Sequence, residues 1–209
     1  MMLLTLMRHV NQCSDHMYRM AILSLVLPPP LTFNTLQFTQ FHPDVLMDSP
    51  TVRCMKMALV HDLAEAIVGD ITPTEFSGIT KAQKHQLESR AMNTICSTLP
   101  YQIAKEIKEL WTEYEESSTE CAKHVKELDK FELLIQAFEY EKIHLQTHDL
   151  QEFYEWIDKG NYLKDERILK LKEELLKRRH EQVVIKRGPN AINQMEAALA
   201  EAAAKRDKR

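Results

Sequence analysis

Apolar residues in this chain recur every third or fourth position over long windows and do not alternate in sustained runs, a period that selects helices and leaves no strand pattern. Leu87, Ala91, Ile95 and Leu99 form one such stripe, Phe131, Leu134, Ile135 and Phe138 a second, and Ile168, Leu171 and Leu175 a third. Glycine is scarce, four in 209 residues, so few positions are free to break this pattern. The expected fold class is therefore all-α. A hydrophobic content of 44% is enough to bury a substantial core in one domain, residues 1–176, with a tail appended at 177–209.

Helix boundaries follow from caps and prolines. Ser14 is expected to cap a helix running to Leu27, where Pro28, Pro29 and Pro30 stop it. Residues 28–50 hold five of the eight prolines with Phe33, Phe38 and Phe41 and read as a long proline-rich loop, in which His42 is a loop residue. Ser49-Pro50 restarts order as N-cap and first helical residue, and the helix is expected to continue to Val68 and end at Gly69. Further helices are expected from Thr80 to about Leu99, from Ile103 to about Tyr114, from Glu120 to about Leu145 and from Tyr162 to Arg179. The Ala/Lys/Arg-rich end, 177–209, reads as a basic, exposed helical tail.

Charge and cysteine usage narrow the function classes. The net charge is −4, but the tail carries nine Lys/Arg against four Asp/Glu, which leaves the body strongly acidic and a poor surface for nucleic acid. The longest apolar run, Met20 to Leu27, is too short to cross a bilayer, and the N-terminus lacks the basic start and cleavage site of a leader. Cys13, Cys54, Cys96 and Cys121 form no Cys-x-x-Cys pair and read as reduced core thiols of a cytoplasmic protein.

The chemistry concentrates between Leu59 and Pro73. On a helix advancing about 100° per residue, Glu65 falls about 40° and Asp62 about 100° from His61, while Val52, Leu59, Val60, Leu63 and Ile67 lie opposite. That window alone describes an amphipathic helix with a solvated His-Asp-Glu face. Asp70, directly after Gly69, reads on its own as turn chemistry. Two residues elsewhere change the weighing. His16 shares a stripe with Met20 and Leu23, and by itself reads as a satisfied core histidine. Asp129 lines up with Val125, Leu133 and Gln136, where a carboxylate must be bonded or ligating. His85 with Lys81 and Lys84 reads as polar surface, the lysines being equally able to approach a phosphate, and His124, His144 and His148 read as surface. Two His and two Asp suit a borderline or hard divalent ion better than a thiolate-type zinc site.

A His, then His-Asp, then a distant Asp resembles the HD-domain metal-dependent phosphohydrolases. The segments Ser-Asp-His-Met-Tyr-Arg-Met-Ala at 14–21, Ala-Leu-Val-His-Asp-Leu-Ala-Glu at 58–65, Val-Gly-Asp-Ile-Thr-Pro at 68–73 and Lys-Glu-Leu-Asp-Lys at 126–130 are similar to the HD domain-containing protein 2 group, related to bacterial 5′-deoxynucleotidases. The resemblance implies an HD-domain helical bundle in which one divalent cation (Mn²⁺, Co²⁺ or Mg²⁺) is held by His16, His61, Asp62 and Asp129. It implies Glu65 as catalytic acid/base and Asp70 as a second catalytic carboxylate near the sugar. Position 58 is Ala58, where a two-metal His-x-x-His-Asp arrangement would need His. The implied reaction is hydrolysis of deoxyribonucleoside 5′-monophosphates by a homodimer whose partner is a small nucleotide, with neither membrane nor nucleic acid involved. The alternatives are another phosphohydrolase acting on cyclic nucleotides or nucleoside triphosphates at the same metal site, or a catalytically impaired HD-fold protein. The last is raised by the start of the chain, only 15 residues before His16 and without the Trp that family members usually carry there.

Overall fold

The computed structural model describes residues 11–30, 49–71, 78–144 and 149–184. Among these residues there are eight α-helices and no strand: α1 (Asn11–Val26), α2 (Pro50–Val60), α3 (Glu65–Val68), α4 (Lys81–Ser97), α5 (Tyr101–Glu116), α6 (Glu120–Ile143), α7 (Gln151–Gly160) and α8 (Glu166–Arg179). A π-helical turn, His180–Val184, follows α8 directly. No helix among the described residues is long and apolar enough to cross a membrane. Residues 31–48, which make up most of the proline-rich loop, lie outside the described residues, as do His42, His148 and the tail from 185 onward.

The caps explain several boundaries. Ser49 accepts from the Val52 amide with Pro50 at the first helical position, as the Ser-Pro pair predicts. Thr80 and Gln83 form a complete capping box at the start of α4. Ser117 ends α5 in the left-handed conformation, φ 51°. At the first helix the expectation fails: α1 already includes Asn11, so Ser14 lies inside the helix and not at its cap. Helix α7 falls outside the expected helices, although Phe153, Tyr154, Trp156 and Ile157 stand at helical spacing within it.

Two units divide the chain, residues 1–128 and 129–209. In the first, α1 packs along α2, α2 and α4 each pack on α5, and the short α3 packs on α4. Met20, Met57, Ala58, Met92, Leu110 and Trp111 fill its interior. Cys54 of α2 and Cys121 of α6 bring their sulfurs to bonding distance with Cα atoms 5.7 Å apart, a span that suits a disulfide. The expectation of unpaired core thiols is corrected for this pair, while Cys96 is a free thiol.

In the second unit Leu134, Leu150, Tyr154, Ile157 and Ile168 are buried. So is a charged pair, in which the Arg179 guanidinium at the end of α8 donates to Glu141 of α6 at 2.7 and 2.9 Å. Arg179 and, in the π-helical turn, Val183 are buried, so residues 177–184 are in part core and not wholly solvated.

Candidate metal centre

The chain leaves regular α-helical pairing where the chemistry begins. The His61 amide still reaches back four residues to Met57, but Leu63 bonds Val60, Glu65 bonds Asp62, and Ala66 bonds Leu63, each three residues back. This tightened turn over His61–Ala64 replaces the single helix expected to run to Val68. Ala64 and Leu63 then pack against Ala91, Met92 and Trp111.

The expected faces hold at Val60 and Leu63 but not throughout. His61 is buried, whereas Leu59 and Ile67, assigned by the wheel to the core, are 46% and 54% exposed. The solvated reading of the His-Asp-Glu face fails at its central residue.

Around His61 three side chains converge. His61 Nε2 lies 3.3 Å from His16 Nε2 and 3.2 Å from Asp62 Oδ2, and His16 Nε2 lies 3.6 Å from the same carboxylate oxygen. A ligand atom from each of His16, His61 and Asp129 lies within 4.8 Å of the other two. Asp129 stands directly after Leu128 on the continuous α6, and its Oδ2 accepts from Lys130 at 2.8 Å. All four expected ligands are thus half-buried or buried.

The chemistry of this donor set fits a cation. His61 Nδ1 lies 2.9 Å from the Ala58 carbonyl, which only accepts, so Nδ1 carries the proton and Nε2 is left as a lone-pair donor. Two ligands on one ion with bonds of about 2.1 Å stand roughly 3 to 4 Å apart, the range of the three distances among His16, His61 and Asp62. Tyr114 packs its ring 4.8 Å from that of His61 and closes the apolar side.

Glu65 is half-buried at the start of α3, and Asp70 is exposed beyond Gly69, whose φ of 73° suits glycine. Both carboxylates act electrostatically on Lys84 of α4, as do Asp62 and Glu88. Burial pulls the Lys84 ammonium down in pKa, but the carboxylates, Glu88 foremost, outweigh it and raise the net value. Burial pushes the Glu88 carboxyl above its ordinary range against the pull of Lys84. Sequence reasoning placed Lys84 on the surface and passed over Glu88, whose burial no period shows. His124, also expected at the surface, is 5% exposed, with Nε2 2.7 Å from the Leu27 carbonyl that ends the α1 segment. His85 is exposed as expected and stacks on Trp111.

A model of the HD domain matches residues 5–162 of the chain. The Mus musculus protein named 5′-deoxynucleotidase HDDC2 is 43% identical over 68% of this chain and 62% of its own length. The Schizosaccharomyces pombe 5′-deoxynucleotidase hdd1 is 44% identical over 67% of this chain and 63% of its own. The chain therefore spans about three-fifths of the length of these relatives. A solved structure titled a predicted metal-dependent phosphohydrolase, from Magnetospirillum magnetotacticum MS-1, superposes with a TM-score of 0.53 at 20% identity, covering 81% of this chain and 78% of that one, a likeness of fold.

Proposed function

Because this chain belongs to the HD domain family, we propose that it is a metal-dependent phosphohydrolase that converts deoxyribonucleoside 5′-monophosphates to deoxynucleoside and phosphate. The observation that carries the reading is the convergence of His16, His61 and Asp62 within 3.6 Å of one another around a lone-pair nitrogen fixed by Ala58. In this reading His16, His61, Asp62 and Asp129 hold one divalent cation, Mn²⁺, Co²⁺ or Mg²⁺. The curated relatives named 5′-deoxynucleotidase support the substrate class.

The bound cation lowers the pKa of a water molecule and offsets phosphate charge. The remaining work falls to the chain. Glu65 takes the proton that the attacking water loses as its oxygen bonds to phosphorus, and returns a proton to the sugar O5′ as the P–O5′ bond breaks. Asp70, exposed at the rim, accepts a hydrogen bond from a sugar hydroxyl. Tyr114 and the Ala58 carbonyl keep the His61 ring in one orientation and one tautomer. Residence in the cytoplasm and pairing of two copies complete the reading, and sedimentation velocity together with microscopy of the tagged chain measures both.

The test is phosphate release from a panel of deoxynucleoside and ribonucleoside monophosphates, cyclic nucleotides and triphosphates with Co²⁺ or Mn²⁺. Turnover restricted to the deoxy monophosphates is expected. Release no greater than that of a His61→Ala/Asp62→Ala double variant would overturn the reading.

A further inference from the structure

We propose that Lys84 is a positioning residue: its ammonium clamps the Gly69–Ile71 segment in place and so fixes where Asp70 stands relative to Glu65. Lys84 Nζ donates to the Ile71 carbonyl at 3.0 Å across thirteen residues of sequence. On its other side the same ammonium pairs with Glu88, one turn along α4, at 3.4 Å. The Lys84 side chain is 34% exposed and that of Glu88 9%, so the inner end of the clamp is the fixed one.

Past Gly69, turned to φ 73° and ψ 170°, the chain leaves helical pairing, and the Ile71 carbonyl takes its hydrogen bond from Lys84 on α4. A charge-assisted bond is worth more than a neutral one. Among the described residues, those shown acting on Lys84 are acidic or acceptors: Glu88 on its own helix, Glu65 on α3, Asp70 and the Ile71 carbonyl in the segment, and Asp62 in the tightened turn. Its charge stands among carboxylates that would otherwise repel one another. Loss of the ammonium removes both the hydrogen bond to Ile71 and this neutralisation, and so loosens the segment that carries Asp70. Lys84 acts in this account through backbone and field and does not bind the phosphate.

The kinetic arm of the test rests on the phosphohydrolase reading, and a second arm does not. Full-length wild type, Lys84→Met and Lys84→Arg are compared by amide hydrogen exchange over residues 66–71, with the 101–116 helix as internal reference for an intact fold. Lys84→Met is expected to speed exchange over 66–71 about tenfold, the loss of one hydrogen bond to a charged group, and Lys84→Arg to restore most of the protection. With Co²⁺ and a deoxynucleoside monophosphate, Lys84→Met is expected to lower kcat about 10- to 100-fold, as loss of supporting partners does, with KM within about threefold. Unchanged exchange over 66–71 in Lys84→Met overturns the proposal. A rise in KM at constant kcat also overturns it, since it makes Lys84 a phosphate-binding group. Should the wild type show no turnover on any ester, the phosphohydrolase reading falls and exchange alone decides the clamp.

Discussion

Replacing Arg179 by methionine tests how the end of α8 is anchored. The guanidinium donates to Glu141 at 2.7 and 2.9 Å and to the Gln151 amide oxygen at 2.7 Å, and lies 4.1 Å over the Tyr154 ring. Glu141 is 0% exposed, and its Oε1 also accepts from the Leu150 amide at 2.9 Å. Removing the guanidinium alone leaves that carboxylate inside the unit without its counter-charge. Breaking a buried pair in this way costs about 3–5 kcal/mol. Methionine keeps part of the packing of the arginine stem, so the expected loss is about 3 kcal/mol, roughly a hundredfold in the folded-to-unfolded ratio. The double variant Glu141→Met/Arg179→Met removes both charges and is expected to recover part of it, because apolar replacements of a buried pair are often neutral while the Leu150 amide is left without its acceptor. Urea unfolding at pH 7 reads both values. A loss below about 1 kcal/mol in Arg179→Met, or a double variant as unstable as the sum of its singles, would refute the reasoning.

Two further outcomes follow. Saturating Mn²⁺ or Co²⁺ is expected to raise the Tm of the wild type and leave that of His61→Ala unchanged, with about 2.7 kcal/mol of stabilisation at a hundredfold excess over Kd; equal shifts by thermal melting would detach His61 from the ion. Glu88 has its carboxyl raised above 4.5 in the folded chain, so the folded state holds that proton more tightly than the unfolded one. Its contribution is then present below pH 4.5 and lost as pH rises through the folded value. Stability of Glu88→Gln relative to wild type is expected to increase from pH 4 to pH 7 in urea titrations, and a flat or falling difference contradicts the assignment.

Much of the helical layout is legible because caps and prolines act locally. Ser49-Pro50 and Thr80 each fix a boundary through a bond within three residues. Of the expected ligands, Asp129 alone stands out by its neighbours, since an Asp among apolar residues demands a partner wherever the chain folds, while the others rest on the motif. What escapes the sequence is the pairing of the backbone. A wheel assumes 100° per residue, and the bonds three residues back at Leu63, Glu65 and Ala66 break that assumption. His61 and Leu59 still lie on opposite sides of α2, and it is the packing of His16 and Tyr114 against His61 that decides which side is buried. His124 and the Cys54–Cys121 pair are settled by neighbours 97 and 67 residues away, which no local pattern records.

The same tightened turn sets how Asp62, an expected ligand, stands relative to Glu65, the proposed acid/base. Where an amide bonds three residues back, side chains three apart eclipse one another, so Asp62 and Glu65 share one edge of the chain. On a regular helix the same two residues would stand about 60° apart. A variant that let α2 run straight through to Val68 would keep every chemical group of the motif and still change the angle between Asp62 and Glu65. The placement of Asp62 against Glu65 thus depends on how the backbone is wound at His61–Ala64 as well as on the residue types.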